Sequence, residues 1–171
     1  MKVAVYPGSF DPITNGHIDI LEKTINIFDK IIVAVIHNVC KEALFTLDER
    51  VNLIRESTRH LDNLEVDCFS GLLANYLKDK HACAIIRGLR TVTDFEYEMH
   101  MAMMNKELMP EVDTIFTLSN SRYIFVSSSG VKEAAMLGGD VSSLVPEAVA
   151  VGLKEKLIRL NKEKEKGYFL K

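Results

Sequence analysis

Tryptophan is absent from this chain, and cysteine occurs three times, proline four times and glycine nine times in 171 residues. Each scarcity narrows the field. Cys40, Cys68 and Cys83 are odd in number and widely spaced, with no C-x-x-C pair, so neither a disulfide framework nor a zinc site is expected. Free thiols suit a reducing setting, and a cytoplasmic protein is expected. Proline and glycine are too sparse to mark a linker, and no repeat occurs. One domain over residues 1–171 is expected, with about 162–171 as a charged tail. The longest apolar run, "IIVAVI" from Ile31 to Ile36, has six residues, against the roughly 20 of a membrane-spanning helix. Pro7 and Gly8 interrupt the N-terminal apolar stretch at once, so no export signal is expected.

Positive charge is also scarce where nucleic acid would need it. From Lys154 to Lys171 seven Lys or Arg stand against three Glu, which leaves fourteen against twenty-one in the body. An acidic body lacks the broad basic face that nucleic acid requires. The tail intersperses Lys with Glu, the pattern of a solvated helix end. Phosphate chemistry, if present, must rest on a few placed cations.

What the chain does have is alternation. Val3–Tyr6, Ile31–Ile36, Leu64–Phe69, Ala82–Ile86 and Thr114–Leu118 are continuous β-rich runs, the mark of strands buried on both faces. Between them, Ile18, Leu21, Ile25 and Phe28 lie at helical spacing, as do Leu47, Val51, Ile54 and Leu61. Thr46 and Glu49 fit a capping box, and "TDFE" from Thr93 predicts a second one opening a helix that runs to about Leu108. Shorter helices are expected over Leu72–Lys78, Ser128–Leu137 and Pro146–Asn161. This order predicts an α/β, Rossmann-like, doubly wound five-stranded parallel sheet with helices on both faces and a C-terminal helix. Such sheets bind ligands beyond the carboxyl ends of their strands.

Those ends carry the polar chemistry. After the first strand, "GSFDPITNGHIDI" offers Gly8 for close approach, the Ser9 hydroxyl, and His17 where a helix begins and its free N–H groups attract anions. A plain Thr14 or Asn15 cap with a solvated His17 is the alternative. Lys41 follows the second strand. After the third, Leu72 and Leu73 either line a pocket or pack in the core. "RGLRTVTDFEYEM" places Arg87 and Arg90 around Gly88; their forks match phosphate oxygens, or pair with Asp94, Glu96 or Glu98. Ser127, Ser128 and Ser129 precede a helix, and one serine there is explained by capping alone. The Met-rich "MHMAMMNKELM" reads as core or subunit contact. Together these groups gather cations, hydroxyls and two helix starts at four strand ends, an arrangement suited to phosphates.

"YPGSFDPITNGHIDI" resembles the T-x-G-H nucleotidyltransferase signature, and "RGLRTVTDFEYEM" and "YIFVSSSGVKE" resemble the companion motifs of the bacterial phosphopantetheine adenylyltransferase family. The likeness is collinear from about Val3 to Pro146. It implies transfer of the adenylyl group of ATP to 4′-phosphopantetheine, giving dephospho-CoA and pyrophosphate, with Mg²⁺, for which no protein ligands are assigned. It places ATP against Ser9, Phe10, His17, Gly88, Leu89, Arg90 and Glu98, and along Tyr123, Ile124, Phe125, Val126, Ser127, Ser128 and Ser129. It places phosphopantetheine against Ser9, Lys41, Leu73 and Arg87. His17, as transition-state stabiliser, with Lys41 and Arg90, is expected to carry catalysis. Ser9 stands where threonine is frequent in the family, and Tyr123 where tryptophan is. A homohexamer and feedback binding of coenzyme A are further implications. A related transferase with another phosphate acceptor and a non-catalytic adenine-nucleotide sensor are the competing readings.

Overall fold

The computed structural model describes residues 1–37 and 42–168, with side chains to Glu163. Lys41 and Cys40 lie outside the described residues.

Five parallel strands form one sheet in the order β3-β2-β1-β4-β5. They are β1 (Val3–Gly8), β2 (Lys30–Ile36), β3 (Leu64–Phe69), β4 (Ala84–Leu89) and β5 (Asp113–Leu118). The helices are α1 (Asn15–Thr24), α2 (Leu47–Ser57), α3 (Leu73–Asp79), α4 (Val92–Leu108), α5 (Ser128–Met136) and α6 (Glu147–Tyr168), with a single 3-10 turn at Ser121–Tyr123. The chain winds outward through β1, β2 and β3, then crosses back to lay β4 beside β1. The sheet's direction of winding therefore reverses between β1 and β4, where their carboxyl ends leave a crevice.

Alternation along the strands builds two cores. Ala4 and Tyr6 of β1 with Ile31, Val33 and Val35 of β2 face α1, α2, α5 and α6 through Leu21, Ile54, Val131 and Val149. Val3, Val5, Ile32 and Ala34 face the other way, onto Ala74, Tyr76 and Leu77 of α3 and onto Met109 and Val112. Strands covered on both faces read as unbroken apolar runs, as β1 and β2 do; the edge strands β3 and β5 are far less buried.

Several boundaries differ from the sequence reading by a residue or two, and three differences change the reading of a motif or element. β4 does not stop at Ile86. It continues through Arg87, Gly88 and Leu89, which pair with Phe116, Thr117 and Leu118. A charged side chain can leave the sheet while its backbone stays in the ladder, so Arg87 ends the apolar run but not the strand. The second capping box at Thr93 does not form. Thr91 is the cap of α4, and its hydroxyl accepts from the Asp94 N–H at 3.1 Å. That choice puts Asp94 in the first turn, four residues from Arg90, with which it pairs. Finally, α6 runs on to Tyr168, so most of the expected tail is helix. The box at Thr46 and Glu49 forms as read.

Candidate active site

The crevice beyond β1 and β4 is a cavity of about 300 Å³. Its lining includes Ser9, Phe10, His17, Arg87, Gly88, Arg90, Glu98, Val126 and Ser127 to Ser129. Close packing underlies it. A Cβ on Gly88 would stand 3.0 Å from Ile20 Cγ1, so glycine lets β4 and α1 approach this closely without shifting the Ile20 side chain. One on Gly8 would meet the Phe10 ring at 2.9 Å. Phe10 itself has φ of 45°, and this left-handed turn folds its buried ring edge-on against Tyr6 and His17, centroids 5.3 and 5.2 Å away.

His17 is the third residue of α1, and its ring does what a glutamate does in an ordinary capping box. Nδ1 accepts from the backbone N–H of Thr14, the N-cap, at 3.0 Å. A backbone N–H can only donate, so Nδ1 keeps its lone pair and the proton sits on Nε2. Burial, reinforced by the nearby positive charges of Arg90 and Arg87, depresses the imidazole pKa to about 4. The site therefore presents a neutral ring with an Nε2–H donor. Against an unfolded value of about 6.5, the folded protein binds fewer protons at this ring between pH 4 and 6.5. Its contribution to stability is constant above about pH 6.5 and falls as pH drops toward 4. Nitrogen NMR of labelled histidine is expected to show the His17 ring neutral, with the proton on Nε2, down to pH 5. Titration near 6.5 would contradict this.

Both arginines have carboxylate partners. Arg87 donates through Nε and Nη2 to Glu98 and through Nη1 to the Pro7 carbonyl at 2.8 Å. Arg90 donates to Asp94 at 3.0 and 3.3 Å and to the Val126 carbonyl at 3.3 Å. The ion-pair alternative thus holds for each, with partners one turn apart on α4. Three of each guanidinium's five N–H groups are engaged, which leaves two for a ligand. These paired charges cancel. The crevice therefore offers aimed donors more than net positive charge.

The serines divide their work. Ser127 caps α5, its Oγ accepting from the Gly130 N–H at 3.0 Å. Ser128 Oγ donates to the Pro12 carbonyl at 2.8 Å, so its hydroxyl proton is committed. The first N–H groups of α5 have no intrahelical acceptor and remain for an anion. Five expected residues fall outside the lining. Leu89 is buried at the strand end. Leu73 packs on the second core. Tyr123 ends the 3-10 turn and sits over Gly16, and Ile124 and Phe125 are exposed.

Sequence reasoning missed Tyr6, Thr14, Ile20, Asp94 and Ser119, which also line the cavity. Burial raises the Tyr6 pKa well above its usual value despite Arg87 and Arg90, so its hydroxyl stays protonated. A second cavity of about 380 Å³ adjoins the first through Ser9, Ser128 and Ser129 and adds Asp11, Arg50 and Lys132. Burial disfavours ionised Asp11, but Lys132 and the N–H groups of Phe45 and Leu44 outweigh it and lower its pKa. The signals were Asp11 inside the quoted loop and Lys132 one turn after Ser128.

The cytidylyltransferase-like family profile matches residues 5–134. A phosphopantetheine adenylyltransferase from Syntrophomonas wolfei is 76% identical over 158 residues, 92% of this chain and 98% of that one. One from Carboxydothermus hydrogenoformans is 54% identical over 91% of this chain and 96% of its own. One from Alkaliphilus metalliredigens is 55% identical over 91% and 99%. Among solved structures, a candidate nicotinate-nucleotide adenylyltransferase from Vibrio parahaemolyticus aligns with TM-score 0.69 over 90% of this chain and 99% of that one; at 16% identity it speaks to the fold alone.

Proposed function

The chain belongs to the phosphopantetheine adenylyltransferase family, and from that premise we propose how its crevice works. The enzyme is a nucleotidyltransferase that moves the adenylyl group of ATP to 4′-phosphopantetheine, releasing dephospho-CoA and pyrophosphate. The observation that carries the mechanism is the neutral His17 donor set between two arginines in one cavity.

The acceptor is already a nucleophile. Its phosphate has a second pKa of about 6, so no general base is needed near neutrality. A phosphate oxygen bonds to the α-phosphorus in line, and the bond from that phosphorus to the bridging oxygen breaks toward pyrophosphate. Arg87, with Ser9 and Lys41, meets the incoming phosphate. Arg90 and the free N–H groups at the start of α5 take the β and γ phosphates. His17 Nε2–H donates to the α-phosphate, most strongly as charge gathers there in the transition state.

Among the described residues no three His, Cys, Asp or Glu side chains converge as a metal site, and Asp94 and Glu98 are held by arginines. Mg²⁺ bound with the triphosphate would supply charge neutralisation there, and no protein residue is assigned to hold it. Coenzyme A shares the pantetheine arm and competes for the same crevice. Exposed Cys68 and Cys83 thiols suit a cytoplasmic setting, and no helix among the described residues is long and apolar enough to cross a membrane.

Incubating the protein with ATP, Mg²⁺ and phosphopantetheine should yield dephospho-CoA and pyrophosphate in equal amounts. Pyrophosphate release only with a different phosphate acceptor would overturn the assignment. ATP binding without turnover would favour a sensor.

The Met-rich helix points to assembly. No α4 residue is buried, and Tyr97, Met103, Met104, Leu108 and Leu118 of β5 are at least half exposed. We assign this face to contacts with further copies in a homohexamer. Light scattering should give six times 19.3 kDa; a monomer mass would refute that.

A further inference from the structure

Asp11 has no part in the chemistry above, yet it joins three walls of the site. Its side chain is 8% exposed. Oδ1 accepts from the Phe45 N–H at 2.9 Å, and Oδ2 accepts from the Leu44 N–H at 3.0 Å and from Lys132 Nζ at 2.5 Å. Leu44 and Phe45 follow Lys41 by three and four residues, on the acceptor side. Lys132 sits on α5, whose first turn takes the leaving phosphates. Asp11 itself belongs to the loop that carries Ser9, Phe10 and the cap of α1.

Two neighbouring bonds run the same way. Ser128 Oγ reaches the Pro12 carbonyl, and the buried Arg50 donates through Nη1 to the Ser9 carbonyl at 2.9 Å. A buried ion pair adds little net stability over an apolar pair of similar size. A carboxylate placed where three segments of a cleft meet is better explained by the spacing it fixes.

We propose that Asp11 is a positioning residue: its carboxylate holds the acceptor-side segment and helix α5 at a set distance across the catalytic loop, so that the two phosphates meet in line. The inference rests on the adenylyl transfer proposed above. It also makes the second cavity a braced seam and not a separate ligand site.

Asp11→Asn keeps the shape but offers one acceptor atom. Its amide nitrogen then faces either the Phe45 N–H or, at the Oδ2 position, both the Leu44 N–H and the Lys132 ammonium, donor against donor, so at least one of the three links opens. A misplacement of about 1 Å typically costs about 10²-fold in turnover. D11N is expected to lower kcat by about that factor while the KM for ATP stays within about threefold. Lys132→Met, which releases α5 alone, should lower kcat about tenfold and leave the KM for phosphopantetheine unchanged. Because both variants open one seam, the double variant should be no slower than D11N.

A purely structural Asp11 would lower Tm and leave kcat per folded molecule near wild type, and that result overturns the proposal. So would multiplicative losses in the double variant. A tenfold rise in the ATP Kd of K132M with D11N unaffected would put Lys132 on the phosphates instead, and also overturns it. All rates are ratios to wild type read on pyrophosphate release. A wild-type protein inactive on phosphopantetheine strikes the assigned activity, whereas a D11N rate equal to wild type strikes only the positioning role.

Discussion

Replacing His17 with alanine is expected to lower kcat by about 10²–10³-fold, the usual loss when one aimed transition-state donor is removed. The KM for ATP should change little, because the donor gains strength mainly as the α-phosphorus takes its fifth ligand. The fold should survive. Thr14 loses the acceptor for its N–H, and Phe10 loses an edge-on neighbour. A lost cap costs about 1 kcal/mol, small against the 5–15 kcal/mol that stabilises a typical domain. Calorimetry should therefore record a Tm lower by a few degrees beside the kinetic loss. A kcat near wild type would remove His17 from the mechanism.

Arg87→Ala is the second large effect, and it has two parts. The acceptor phosphate loses its guanidinium, and Glu98, only 13% exposed at its side chain, loses its partner beside the incoming dianion. Two unit charges about 4 Å apart interact by about 4 kcal/mol at an effective dielectric of 20, equivalent to about 10³-fold. The expected loss in kcat/KM for phosphopantetheine is about 10²–10³-fold. Changing Glu98 to glutamine in the same protein should restore at least tenfold of it, since the exposed repulsion then disappears. Steady-state kinetics on the single and double variants checks both parts. A single variant within fivefold of wild type, or a double variant no better than the single, would contradict the arrangement.

The central strands β1 and β2 were legible because burial on both faces left unbroken apolar runs, β3 because its apolar residues alternate with polar ones, and helices such as α1 and α2 because their apolar residues kept one face. Charge was harder to read. Arg87 looked like the residue after a strand, whereas its backbone pairs with Phe116 inside the ladder. Thr91 and Thr93 are equal candidates for a cap in sequence. In space the Thr91 hydroxyl takes the Asp94 N–H, and the Arg90–Asp94 pair accompanies that choice. The motifs located His17, both arginines and the three serines. They offered Asp94, Glu96 and Glu98 as arginine partners without choosing among them, and did not reveal that Nδ1 is occupied by Thr14 or that Asp11 joins segments 33 and 121 residues away. Such facts depend on which side chains of distant segments meet, and spacing along the chain does not encode them.

A crystal structure with phosphopantetheine and a non-hydrolysable ATP analogue tests the central claim most directly. An α-phosphate oxygen should lie about 3 Å from His17 Nε2, with the acceptor phosphate on the far side of that phosphorus from the bridging oxygen. A nucleotide whose α-phosphate lies beyond the reach of His17, or an acceptor phosphate out of line with the leaving oxygen, would contradict it.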